Sequence, residues 1–305
     1  MADQVTLKNQ IDIMAMAILV VLSASWGLQQ VAIKIAYQGV PPILQAGIRS
    51  VGATILLWIW MSAQRQPIFE RDGTLWWGIA AGLLFTAEFI MIYWGLEFTS
   101  ASRAAIFINT APFIVALGAQ FFIPGEQLRL VQIVGLCSAF AGIVVAFSES
   151  ATDANLRILI GDGMIVVAAI FWGATTVLIK AGPLSNIQPG KTLLYQLAVS
   201  AVVLPLVTLV KGETHILRMT PIIAASLVYQ TVWVAFITFL AWFWLMRNYP
   251  ASRLVSFNFL TPIFGVIAGG VILNEPISGM LLLTLVLVGT GIYLVNRPVP
   301  GRNIR

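Results

Sequence analysis

The sequence predicts an all-α polytopic membrane protein in which ten transmembrane helices form two inverted five-helix repeats. Three observations carry that expectation. The first is composition: of 305 residues, 59% are hydrophobic and 10% charged, against roughly 45–50% and 25% in an ordinary globular domain. A soluble fold of this size could not hide so much apolar surface, so lipid is the expected solvent. The second is ten apolar stretches, each near the roughly 20 residues that cross a bilayer. They fall at 11–35, 42–62, 74–96, 102–123, 128–148, 159–180, 190–210, 220–246, 252–273 and 277–296. The third is duplication. Ala101-Ser102-Arg103, Pro112, Glu126 and Gly142 recur in order as Ala251-Ser252-Arg253, Pro262, Glu275 and Gly291. The duplication divides the chain into residues 1–152 and 153–305. Five spans per copy is an odd number, so the second copy is expected upside down relative to the first, the inverted repeat of many secondary carriers.

In the first span Ser23, Gly27, Gln30 and Lys34 share one helical face, and Ala169, Gly173, Thr176 and Lys180 repeat the spacing in the sixth. Trp26-Gly27 matches Trp172-Gly173. Such a small and polar stripe turns towards protein or water. The lysines read as snorkelling to the interface, with substrate contact as the alternative. Span two brings Arg49 near its start. Span three holds Glu88, the only carboxylate expected deep in a span, with Phe85 one turn before it. A charge there is expensive enough to demand a cavity or a partner. Glu88 is read as binding a substrate ammonium or taking up a proton; the alternative is a strut paired with Arg49 or a tyrosine.

Spans four and nine carry proline in their middle, which deletes a backbone hydrogen bond. Membrane helices tolerate this where neighbours or water satisfy the freed carbonyl. Pro112 and Pro262 are therefore expected to be kinks or gates, with Asn109, Thr110, Asn258 and Thr261 offering side-chain hydrogen bonds; a static kink is the alternative. Glu126 and Glu275 read as anchors near helix starts, favoured by the dipole. Spans five and ten are rich in glycine. Span seven contributes Tyr195 and span eight a face of Tyr229, Trp233 and Phe236, which with Trp26 and Trp172 could wall an apolar pocket. Trp58, Trp60, Trp76, Trp77, Trp242 and Trp244 read as interfacial.

Charge sets orientation. Eleven lysines and arginines fall on the side of the amino terminus and five on the other, with Arg49 ambiguous, which favours both termini in the cytoplasm. The net charge of +5 is spread over short loops and does not suggest nucleic acid. One cysteine, Cys137, leaves no internal disulfide, and the one histidine, His215, reads as a solvated loop residue. No cleavable signal is evident, because the first apolar stretch runs on as a full span.

The Trp-Gly with lysine seven residues on, a proline opening the next span, the Ala-Ser helix centred on proline, the loop glutamate and the trailing glycine resemble the drug/metabolite transporter superfamily. The similarity covers about residues 12–297 and lies with its EamA-type ten-span exporter branch, most of all with YddG-type bacterial exporters of aromatic amino acids. What the resemblance implies is an inner-membrane carrier with a basket-like inverted repeat, a cavity lined by the first, third and fourth spans of each half, and amino acids as cargo. The expected site then comprises Trp26, Gln30, Phe85, Glu88, Asn109, Trp172, Thr176, Tyr195, Tyr229, Trp233 and Asn258, in a monomer needing no cofactor or metal.

Other readings compete. An exchanger of phosphorylated sugars or nucleotide sugars should need several cations in the cavity. A multidrug exporter of organic cations would also suit Glu88 and the aromatic residues. An intramembrane enzyme lacks its nucleophile and base, a metal set or a nucleotide-binding loop. A pore or scaffold would show conductance or no flux in place of saturable exchange.

Overall fold

Apolar composition and local punctuation together set the helices. The structure is a computed structural model that describes residues 12–66, 68, 72–122, 129–152, 156–249, 257 and 260–296. Among these the regular elements are helical. Helix α1 (Ile13–Ala36) starts where the Asp12 carboxylate accepts the Ala15 amide at 2.9 Å, a side-chain cap on an otherwise orphaned donor. Proline opens α2 (Pro42–Ala63), where its missing N–H costs nothing. Then follow α3 (Leu75–Gly95), α4 (Ala101–Ile108) capped by Ser100, α5 (Ala111–Phe122), α6 (Leu130–Thr152) and α7 (Leu156–Ala181). A 3₁₀ turn (Pro183–Asn186) leads to α8 (Pro189–Lys211), which ends at Gly212 with φ 71°, a left-handed stop suited to glycine. Thr220 and Pro221 open α9 (Pro221–Val228), which runs through a π-helical stretch (Tyr229–Thr238) into α10 (Phe239–Asn248). Helices α11 (Leu260–Leu273) and α12 (Gly279–Asn296) complete the described chain.

Seven of these runs are long and apolar enough to cross a membrane, and Leu130–Ala146, Leu260–Leu273 and Gly279–Leu294 are shorter apolar helices. Large apolar side chains stand exposed along the outer faces, among them Ile55, Trp58, Val134, Phe140, Val202, Val210 and Val286. That is a lipid-facing surface. Of the tryptophans expected there, Trp58, Trp76, Trp77 and Trp244 are exposed, whereas Trp242 packs edge-on against Trp26 at 5.5 Å.

The packing is reciprocal between the two parts of the chain. Helix α1 lies on α11 and on α9 with the π stretch, while α7 lies on α4–α5 and on α3. Helix α2 packs on α8 and α6 on α12, and α3 meets α8 as α2 meets the π stretch. Two glycines make the close crossings possible. A Cβ at Gly27 would stand 2.6 Å from the Gly265 amide and 2.8 Å from the Thr261 carbonyl; one at Gly173 would stand 2.5 Å from Ile114 Cβ and 3.2 Å from the Ala111 carbonyl. Thr261 and Ala111 are the residues before Pro262 and Pro112. Each Trp-Gly helix thus presses its glycine on a proline-bearing helix from the other part of the chain.

The fourth expected span is two helices, broken at Asn109-Thr110 ahead of Pro112. There the Asn109 amide donates to the Ala105 carbonyl at 2.8 Å and the Thr110 hydroxyl to the Phe107 carbonyl at 2.6 Å. Local side chains hold the break, as the proline demands. Pro262 lies buried inside α11, three residues from its start.

Candidate functional site

Helix α3 supplies the centre of the site. Phe85, Phe89 and Tyr93 recur every four residues, so they stack along one face. Their ring centroids lie 4.7 and 6.1 Å apart. Glu88 joins that region one turn after Phe85, and is 6% exposed with Oε2 lacking a hydrogen-bond partner. From α2, Arg49 reaches in fully buried. Its guanidinium carbon stands 4.0 Å from the centre of the Phe89 ring, and none of its three nitrogens has a hydrogen-bond partner. Glu88 and Tyr93 are its electrostatic neighbours. The π stretch closes the cluster: the Tyr93 hydroxyl donates to Gln230 Oε1 at 2.6 Å, leaving Gln230 Nε2 unbonded and fully buried. Three elements that are far apart in sequence thereby gather one cation, one carboxylate, an amide and three aromatic rings. Buried polar groups are normally hydrogen-bonded; here unmet donors and an unmet acceptor stand beside an aromatic stack, which makes the cluster the candidate site.

The expected site residues divide. Phe85 and Glu88 lie in this cluster. Gln30, on α1, is likewise buried, with Oε1 unbonded. Trp26 is spent on packing, its indole donating to Thr238 Oγ1 at 3.0 Å. Tyr229 donates to the Ser25 carbonyl at 2.8 Å and Trp233 to Ser25 Oγ at 2.9 Å, so both clamp α1, while Phe236 packs on the main core. Asn109 bonds its own helix, Thr176 bonds the Trp172 carbonyl at 3.0 Å, and Trp172 packs on the main core. Tyr195 covers Gly78 and reaches Thr74 Oγ1 at 3.3 Å. Gly78 is ten residues from Glu88, about 15 Å along the helix. Asn258 lies outside the described residues, as do Glu126 and Ala251-Ser252-Arg253. Of the two lysines, Lys34 is half-buried with Glu275 as electrostatic neighbour and Lys180 is exposed.

Two expectations need correction. Glu88 is not the only deep carboxylate: Asp162 in α7 is fully buried and takes Arg103 in a fork, from Nη2 at 2.5 Å and Nε at 2.9 Å. Thr99 Oγ1 donates to the same carboxylate at 2.5 Å, and Arg103 Nη2 also reaches the Ala146 carbonyl at 2.8 Å. Asp162 lies near the start of the sixth expected span, but α7 starts at Leu156 and its face around Gly161 presses on the Gly95–Thr99 turn. Arg49, expected near the start of span two, is fully buried. An arginine two turns into an apolar segment was itself the signal for a site, since an intramembrane charge marks function by default. Tyr93 and Gln230 carried no comparable signal, being an ordinary tyrosine and glutamine until α3 and the π stretch meet.

Glu275, expected to anchor a helix start, does so across the molecule. Its carboxylate accepts the Ala101 amide at 2.7 Å, the Ser102 amide at 2.9 Å and the Ser102 hydroxyl at 2.7 Å. An anion at the positive end of α4 is favoured by the dipole as well as by the bonds.

Comparison with known proteins agrees with this architecture. A solved crystal structure superimposes with a TM-score of 0.66 at 15% identity, covering 90% of this chain and 94% of its own. The uncharacterised transporter YoaV of Bacillus subtilis is 23% identical, over 88% of this chain and 92% of its length. A probable amino-acid metabolite efflux pump of Salmonella typhimurium is 25% identical, over 92% of this chain and 93% of its length. The EamA-like transporter family matches residues 13–148 and again residues 159–297, and the chain belongs to that family of membrane transporters.

Proposed function

We propose that the protein is an inner-membrane exporter of amino acids, aromatic ones among them, that works as a monomer by alternating access. The observation that carries this reading is Glu88, an unbonded buried carboxylate within the Phe85–Phe89–Tyr93 wall. A carboxylate beside aromatic faces suits an ammonium group attached to an apolar side chain. Relatives named as probable amino-acid metabolite efflux pumps in two enterobacteria support the same cargo.

In this reading residues 1–152 and 153–305 are inverted five-span repeats, with ten spans in all and both termini in the cytoplasm. The reciprocal packing of α1 and α7 on the proline-bearing helices of the other part supports that division, as does the family's match to each part. Transport then consists of the two repeats rocking about a pseudo-twofold axis, with Gly27 and Gly173 as the crossing points and the helices that carry Pro112 and Pro262 bending to absorb the motion. Gln30 and Asn258 are assigned to the wall of the path.

Counterflow in proteoliposomes tests the reading. With unlabelled phenylalanine inside and labelled phenylalanine outside, saturable accumulation is expected, blocked by other amino acids and reduced at least tenfold by Glu88→Gln. No accumulation, with the same preparation moving a quaternary ammonium dye or a nucleotide sugar, would replace the cargo while leaving the fold.

A further inference from the structure

We infer that Arg49 is the carboxylate-binding residue of the transported compound, so that the site selects molecules bearing a free carboxylate and rejects simple amines. The inference rests on the reading of the Glu88 cluster as the substrate site and names the chemistry that site requires.

The geometry of the guanidinium carries the argument. Its charge spreads over a plane whose five N–H donors all point outward along the edge. The centre of the Phe89 ring stands 4.0 Å from Cζ, a cation–π contact that supplies no hydrogen-bond acceptor of the kind a carboxylate offers. Nε, Nη1 and Nη2 are all buried without a hydrogen-bond partner. An arginine held only for structure is bonded along its edge, as Arg103 is by Asp162 and the Ala146 carbonyl. Arg49 is fully buried with its edge unbonded, and the edge is where a planar carboxylate makes two parallel bonds.

The neighbours fit the rest of an amino acid. Glu88 Oε2 is an unmet acceptor, and acceptors are what an ammonium needs. Gln230 Nε2 is a further unmet donor, with its amide oriented by the Tyr93 hydroxyl. Phe85 lies beside Glu88 on α3 and offers an apolar face. An organic cation would meet the Arg49 charge as repulsion. A phosphorylated sugar would find one arginine and an adjacent carboxylate, a poor match for a dianion.

The test separates the carboxylate from the amine. Phenylalanine, phenethylamine and 3-phenylpropionate share a ring and differ in their charged groups. Each is measured as a competitor of counterflow and as a ligand raising the melting temperature of the detergent-purified protein. In the wild type, 3-phenylpropionate should compete at least tenfold better than phenethylamine. Arg49→Gln should weaken phenylalanine and 3-phenylpropionate at least tenfold and phenethylamine far less. Glu88→Gln should weaken phenylalanine while sparing 3-phenylpropionate. If Arg49→Gln does not assemble, Arg49→Lys keeps the charge without the fork and should show the same order of losses in milder form.

Phenethylamine matching phenylalanine in the wild type, or equal weakening of all three probes by the Arg49 variants, would overturn the inference. Phenylalanine transport with no carboxylate-selective effect removes Arg49 and leaves the amino acid reading standing. Arg49-dependent binding of 3-phenylpropionate without phenylalanine transport removes the amino acid reading and leaves the carboxylate anchor. Failure of all three probes removes both.

Discussion

Arg103 and Arg49 are both buried, both lie near a buried carboxylate and both have a phenylalanine ring within 6 Å of the guanidinium carbon. Their edges differ. Arg103 is bonded to two carboxylate oxygens and a backbone carbonyl, and its partner Asp162 takes a further bond from Thr99. Arg49 has none, and Glu88 Oε2 has none. A buried charge that is fully bonded has repaid much of its desolvation and serves the fold. One that is left open has not, and persists where a ligand completes it. Burial alone therefore does not separate a strut from a site; satisfaction of the donors does.

The sharpest way to break this comparison is Asp162→Asn. It leaves a buried arginine facing an amide, and removing one partner of a buried pair costs about 3–5 kcal/mol. The expected outcome is a large fall in melting temperature with the order of substrate preferences unchanged. A variant that stays stable and changes its cargo would make Arg103–Asp162 part of the site.

Arg49→Met is the counterpart. Removing a buried charge that no hydrogen bond satisfies also removes its desolvation cost. Thermal unfolding in detergent should therefore show stability held or raised, and transport assays should show it lost, a trade of stability against function. Unfolding on the scale of Asp162→Asn would mean that Arg49 is a strut after all.

Glu275→Gln tests an intermediate case, a carboxylate that is bonded but lies at a helix start. Both carboxylate oxygens accept here, and the amide keeps only one acceptor, so one backbone bond is lost with the charge at the α4 terminus, together about 1–3 kcal/mol. A modest loss of melting temperature is expected. Because this carboxylate joins α4 to the turn after α11, a second expectation is a change in the rate of exchange without a change in substrate order.

The sequence made the repetition legible and the pairing obscure. Trp26-Gly27 and Trp172-Gly173 announce a small-residue face, and that face meets the carbonyls preceding Pro262 and Pro112, as a helix crossing at close range requires. The role of Glu275 could be read from its place in a polar turn, but not its partner 173 residues away. The depth of Arg49 and Asp162 is not legible in their distance from a span end, because their burial comes from neighbouring helices. Tyr229 and Trp233 share a face as their spacing predicts. The π winding and the bonds to Ser25 then commit them to α1, a choice made by tertiary contacts.

The smallest effect belongs to a pair whose carboxylate lies outside the spans. Asp72, in the turn before α3, accepts Lys191 Nζ of α8 at 2.7 Å and the Thr74 hydroxyl at 2.6 Å. The bonds from Lys191 and then Thr74 hold its carboxyl below the usual carboxylate range. A depressed folded pKa stabilises the fold only while the group is ionised. That contribution is therefore complete above the unfolded value of about 4 and fades as the pH falls through the folded value. Between pH 5 and 8 the difference in melting temperature between the wild type and Asp72→Asn should be small and constant, and below pH 4 it should shrink towards zero. It should diminish only weakly in high salt, since Lys191 is buried and Asp72 partly so, and such pairs are screened less than exposed ones. A difference that grows on acidification would reverse the sign and place Asp72 with the open carboxylate, Glu88, in place of the bonded one, Asp162.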